Sequence, residues 1–131
     1  MASFRPLMKL SIIAIKENGT EDERVLIMAE EECNLRNYIL YDETFDEEGN
    51  PSNKVPHMYR FGSLEVRKGD YVAVYTKGKQ GYTKSTMKTP KDAPLHIIKR
   101  GLDINIFNQE GDTAYLVQIN AEDKGIVKPK E

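Results

Sequence analysis

Leu64-Glu65-Val66-Arg67-Lys68-Gly69-Asp70-Tyr71-Val72-Ala73-Val74-Tyr75 is the stretch whose reading decides the fold class of this chain. Leu64 and Val66 alternate around Glu65, the two-residue period of a half-buried strand. Arg67-Lys68-Gly69-Asp70 then turns the chain, and Tyr71–Tyr75 re-enters as a run of β-branched and aromatic residues suited to a pleated surface. Outward from this strand, turn and strand, the same signals recur. Leu10, Ile12 and Ala14 alternate at a period of two, and Asn18-Gly19 marks a turn. Val25-Leu26-Ile27-Met28-Ala29 is a continuous apolar run, as expected of a central strand covered on both sides. Strands are also expected within Leu35–Tyr41, around Met58–Phe61, and over Leu95–Ile98, Leu102–Phe107 and Ala114–Ile119. Asn108-Gln109-Glu110-Gly111-Asp112 is expected to join the last two as a hairpin turn.

Two segments read as loops. Residues 42–56 pass from carboxylates into Gly49-Asn50-Pro51-Ser52-Asn53, and residues 77–94 are rich in lysine, glycine and proline. Only residues 21–34 invite a helical reading, and their central Val25-Leu26-Ile27 suits a strand better. The expectation is an all-β fold, a sandwich or barrel of about seven to nine strands. At 131 residues it forms one domain, with a core over about 8–120 and a polar tail at 121–131.

Composition narrows the function classes. Hydrophobic residues at 39% suffice for a packed interior, and no apolar run approaches the roughly 20 residues that cross a bilayer. Leu7–Ile15 is interrupted by Lys9 and followed by Lys16-Glu17-Asn18-Gly19 where a signal peptide has a small-residue cleavage site. It therefore reads as a first strand, with secretion the lesser alternative. Cys33 is the sole cysteine, so no internal disulfide can form, and a reducing, cytoplasmic setting is the simplest expectation. The net charge of −2 hides an asymmetry. Residues 17–48 carry twelve carboxylates against Arg24 and Arg36, a net of −10, while residues 54–100 carry a net of +8. Such an imbalance bears on partners and solubility rather than on fold.

In order along the chain, Tyr38-Ile39-Leu40-Tyr41-Asp42, Tyr59-Arg60-Phe61, the Leu64–Tyr75 stretch, and Phe107-Asn108-Gln109-Glu110-Gly111-Asp112-Thr113-Ala114-Tyr115-Leu116 together resemble the lamin-tail domain family. The resemblance spans roughly residues 8–120. It departs from the family at two places where tryptophan is frequent, here Tyr38 and Phe107. It implies an immunoglobulin-like β-sandwich, an interaction role toward DNA, chromatin or protein, and no catalytic residues.

The residues offer few chemical alternatives. Gly78-Lys79-Gln80-Gly81-Tyr82-Thr83-Lys84-Ser85 nearly matches a phosphate-binding loop, but Thr83 stands at the second required glycine, and Pro90 and Pro94 break any following helix. Asp42–Asn50 is acidic enough to attract Ca²⁺, yet Thr44 stands where an EF-hand needs a carboxylate. His57, His96 and Cys33 lack zinc-ligand spacing or the local signature of a thiol nucleophile. No cofactor or metal and no enzyme activity is expected. The remaining candidate partner-binding residues are Lys77, Lys79, Tyr82, Lys84, Lys88, Lys91, Lys99 and Arg100. The leading expectation is a non-enzymatic module that binds another protein through loops or sheet edges. The alternative is weak, sequence-independent nucleic-acid binding, in which lysines follow a phosphate backbone while Tyr82 stacks on a base.

Overall fold

The computed structural model describes residues 8–43, 57–107 and 110–129. Ten strands form among them: β1 (Leu10–Lys16), β2 (Arg24–Ala29), β3 (Cys33–Asn34), β4 (Tyr38–Glu43), β5 (Tyr59–Arg60), β6 (Glu65–Val66), β7 (Tyr71–Tyr75), β8 (Gly81–Thr86), β9 (Pro94–Lys99) and β10 (Thr113–Gln118). The only helical element among these residues is a 3-10 turn over Leu35–Asn37. The chain is all-β, as its periodicity predicts. The acidic 42–56 loop lies, from residue 44, outside the described residues.

The strands form a five-stranded sheet in the order β1-β2-β7-β9-β8, a three-stranded sheet β10-β4-β5, and the small pair β3-β6. All pairings are antiparallel except β7 with β9. The Tyr71–Tyr75 segment is the middle strand of the large sheet. It pairs Val72 with Ile27 on one side and with His96 on the other. The turn before it closes on itself: Asp70 N–H donates to Arg67 O at 2.9 Å, and Arg67 N–H donates to the Asp70 carboxylate at 3.0 Å. Gly69 sits there at φ +90°, which a Cβ would strain.

One face of the large sheet supplies Leu10, Val25, Ile27, Val72, Val74 and Ile98 to the core. Tyr38 and Leu40 of β4 meet them from the smaller sheet, together with Leu35, Phe61, Val66, Ile106 and Phe107. Each such aliphatic side chain stabilises by about 1.5–3 kcal/mol relative to an exposed one. The opposite face is lined by Arg24, Met28, Tyr71 and Tyr75, with the Arg24 guanidinium 5.5 Å over the Tyr75 ring.

Three expectations are corrected. First, the register of β1 shifts between Ile12 and Ala14, leaving Ile13 unpaired and 48% exposed. The bulge turns Ala14 opposite Leu26 on the outer face and brings Ile15 onto the core face opposite Val25. Second, residues 81–86, expected as loop, are strand β8. Third, Leu102–Phe107 is not a strand, so no hairpin joins it to β10. Ile106 and Phe107 are buried, but their N–H groups donate to the Glu23 carboxylate at 3.0 and 3.2 Å. With those donors committed to a side chain, the segment caps the core without entering a ladder.

Candidate functional site

The sequence of β8, Gly-Tyr-Thr-Lys-Ser-Thr, has no apolar alternation, so packing does not specify it as a strand. It forms by pairing along β9 from Gly81↔Lys99 to Thr86↔Pro94, and all six of its residues are exposed. In an antiparallel pair every second residue turns its N–H and C=O away from the partner strand. Since β8 ends the sheet, that row has no ladder partner among the described residues.

Only one face of β8 is anchored to the interior. The Tyr82 hydroxyl lies 2.7 Å from His96 Nδ1, and His96 Nε2 lies 2.9 Å from Asp70 Oδ2. The Asp70 carboxylate accepts from Nε2, and in the neutral imidazole this leaves Nδ1 to accept from the Tyr82 O–H. The two rings also stack, 5.9 Å apart and 18° from parallel. This relay fastens the edge strand to the turn before β7 and fixes the Tyr82 ring, which remains 48% exposed.

Beside Tyr82 a half-open cavity of about 300 Å³ is lined by Tyr59, Gly62, Ser63, Leu64, Gln80, Gly81, Tyr82, Ile98 and Lys99. Its lining is mostly apolar, and its volume lies at the lower end of ligand sites. The segment from Tyr59 to Leu64 packs against the core face of the large sheet, so the cavity lies between that segment and the Tyr82–Ile98 row.

The candidate residues divide. Lys79, Lys84, Lys88, Lys91 and Lys99 are exposed and have no ion-pair partner among the described residues. Lys84 shares the Tyr82 face of β8, whereas Lys99 pairs with Gly81 on the other face. Lys77 is engaged, its Nζ donating to Glu21 at 3.0 Å. Arg100 is folded inward, 5.3 Å over the Tyr59 ring, with Nη2 donating to His57 O at 3.1 Å. Its Nε and Nη1 are buried and have no hydrogen-bond partner among the described residues. Burial pushes its pKa below the ordinary guanidinium value, while Asp42 and Tyr59 act the other way. Arg100 is therefore a structural cation and not part of the exposed basic surface.

The other chemistry is accounted for locally. The near-phosphate loop is a turn running into β8, with Lys84 and Ser85 in a ladder and no helix behind them, so its N–H groups do not wrap an anion. Asp42 is buried and accepts from His57 N at 2.6 Å, with its other oxygen 3.1 Å from His57 Nδ1. Cys33 lies in β3, lining a cleft with Lys9, Tyr38 and Gln118 that neither histidine reaches. Burial pushes its thiol pKa up, with the Tyr38 hydrogen bond opposing, so it is a poor nucleophile. Among the described residues no three of His, Cys, Asp and Glu gather as a metal site.

Sequence reasoning found Tyr82 and the lysines but missed the relay and the cavity. Tyr82, His96 and Asp70 come from three separated segments, and no local spacing links them. No family model, curated protein or solved structure matches this chain. Among the described residues no helix is long and apolar enough to cross a membrane.

Proposed function

We propose that this chain is a non-enzymatic interaction module of lamin-tail-like, immunoglobulin-like type that binds another protein by accepting an extended segment along β8. The observation that carries this reading is the exposed outer edge of β8, bounded by lysines with no ion-pair partner among the described residues. Strand addition uses the backbone groups such an edge leaves open, and flanking side chains supply selectivity. The lysines both discourage indiscriminate edge pairing and favour a negatively charged segment. What supports the lamin-tail-like reading is that the segments carrying the resemblance contain strands β4, β5, β6, β7 and β10. Nucleic-acid binding draws less support, because Lys77 and Arg100 are engaged with groups of the chain itself.

The test is selection of unstructured peptides from a display library by the full chain, followed by hydrogen exchange with the selected peptide. The expected result is acidic peptides and slowed exchange centred on Gly81–Thr86. Protection that spares Gly81–Thr86 would sink the edge reading. Sequence-independent binding of single-stranded DNA, steep in salt and lost when Lys79, Lys84, Lys88 and Lys91 become Ala, would transfer the site to nucleic acid.

A further inference from the structure

We infer that the β8 edge selects an acidic extended peptide carrying one large apolar side chain two residues from a carboxylate, the apolar group seated in the cavity between Tyr59 and Tyr82. This rests on strand addition at β8 and specifies its ligand. The register does the work. Side chains directly opposite one another on paired strands share a face. On the core face, Tyr82 stands opposite Ile98 and Lys84 opposite His96, with Thr83 and Ser85 on the other face. A strand added outside β8 continues those rows. Its residue opposite Tyr82 therefore projects on the face where the cavity lies, and its residue two positions away falls opposite Lys84.

Chemistry at each position follows. The cavity of about 300 Å³ presents Tyr59, Leu64, Tyr82 and Ile98, a mostly apolar lining sized for one large side chain. Tyr82 is held in place by His96 and Asp70, so this wall is pre-formed and needs no ordering on binding. Lys84 is exposed and has no ion-pair partner among the described residues, with Lys79 and Lys88 beyond the two ends of β8, and each favours a carboxylate. Thr83 and Ser85 ask only for polar or β-branched residues. An antiparallel ligand reads carboxylate, any residue, aromatic from N to C, and a parallel ligand reads the reverse, so the order of the selected motif reports the direction of docking.

Gly62 provides the control. A Cβ built there meets nothing within 4 Å, and its backbone lies outside the left-handed region. Gly62→Leu places a branched side chain in open space at the cavity lining.

The experiment measures fluorescence anisotropy of labelled peptides centred on Glu-Val-Phe and Phe-Val-Glu, with Ala replacing Phe or Glu, against the full chain and the Gly62→Leu variant. The aromatic peptide is expected to bind about tenfold or more tighter than its Ala counterpart. Replacing its Glu should weaken binding a few-fold at low salt and less at high salt. Gly62→Leu should weaken the aromatic peptide more than its Ala counterpart, with a native melting temperature showing that the variant folds. Protection of β8 amides without any aromatic preference would overturn the cavity assignment and leave strand addition standing. Binding without β8 protection, or no binding by any peptide, would overturn both. Concentration-dependent dimerisation blocked by the aromatic peptide would assign the edge to a second copy of the chain and overturn the peptide assignment.

Discussion

Two buried polar residues show how single side chains hold this fold. Glu23 is 0% exposed and accepts from Gly19 N, Phe107 N, Thr76 Oγ1 and Ile106 N at 2.9, 3.2, 2.6 and 3.0 Å. Burial alone would raise its pKa, but these four donors together hold it below the ordinary value. Glu23→Ala should cost on the order of 3 kcal/mol or more, because it strands several buried donors; urea unfolding measures this. The contribution is complete above the ordinary glutamate pKa of about 4.3 and is lost as pH falls through the lower folded-state value. Glu23→Gln should accordingly flatten the acid limb of stability against pH. Tyr38 acts at the other end of the scale. Its hydroxyl donates to Gln118 at 2.7 Å, and burial pushes its pKa up to about 12, with the Lys9 N–H opposing. Its contribution is full below the ordinary tyrosine value of about 10 and is lost as pH rises toward the folded-state value. Tyr38→Phe should remove an alkaline loss on the order of 2–3 kcal/mol, read from denaturation midpoints above pH ~10.

At the scale of elements, the same chain contains strands specified in different ways. β7 is central, buried and apolar, and it was legible because its composition and its environment agree. β8 reads as loop in the sequence because an exposed edge needs no apolar alternation. Native-state hydrogen exchange should therefore rank β7 and β2 slowest and β8 among the fastest strands when no partner is bound; equal protection of β8 and β7 would contradict this. The β3–β6 pair is only two residues long on each side and leans on Asn34. Its Oδ1 accepts from Arg36 N and Leu64 N, and its Nδ2 donates to Ser63 and Glu65. Asn34→Ala should cost about 1–2 kcal/mol in thermal or urea unfolding, as loss of a cap that also clasps a second segment.

For the whole molecule, the core draws on all three sheets, so calorimetry should show one cooperative transition. The charge asymmetry acts at the same scale. Part of it is consumed internally, as where Lys77 meets Glu21. The lysines flanking β8 remain available to steer an acidic ligand. Raising salt from about 0.1 to 1 M shortens the screening length from about 10 to 3 Å. The association rate of an acidic peptide should fall steeply over that range, while its dissociation rate changes less. Stopped-flow mixing separates the two.

The sequence by itself determined the all-β class, the central Tyr71–Tyr75 strand, the Arg67–Asp70 turn and the exposed character of most candidate lysines. Those properties are local: side-chain period, turn chemistry and charge are written in neighbouring residues. Only the tertiary structure decided that Leu102–Phe107 would donate its N–H groups to Glu23, that Ile13 would bulge out of β1, and that Arg100 would turn inward. It likewise brought Tyr82, His96 and Asp70 into one relay and opened a cavity beside them. Each of these depends on which distant segment satisfies a backbone donor or a buried polar atom. Such a pairing has no period along the chain.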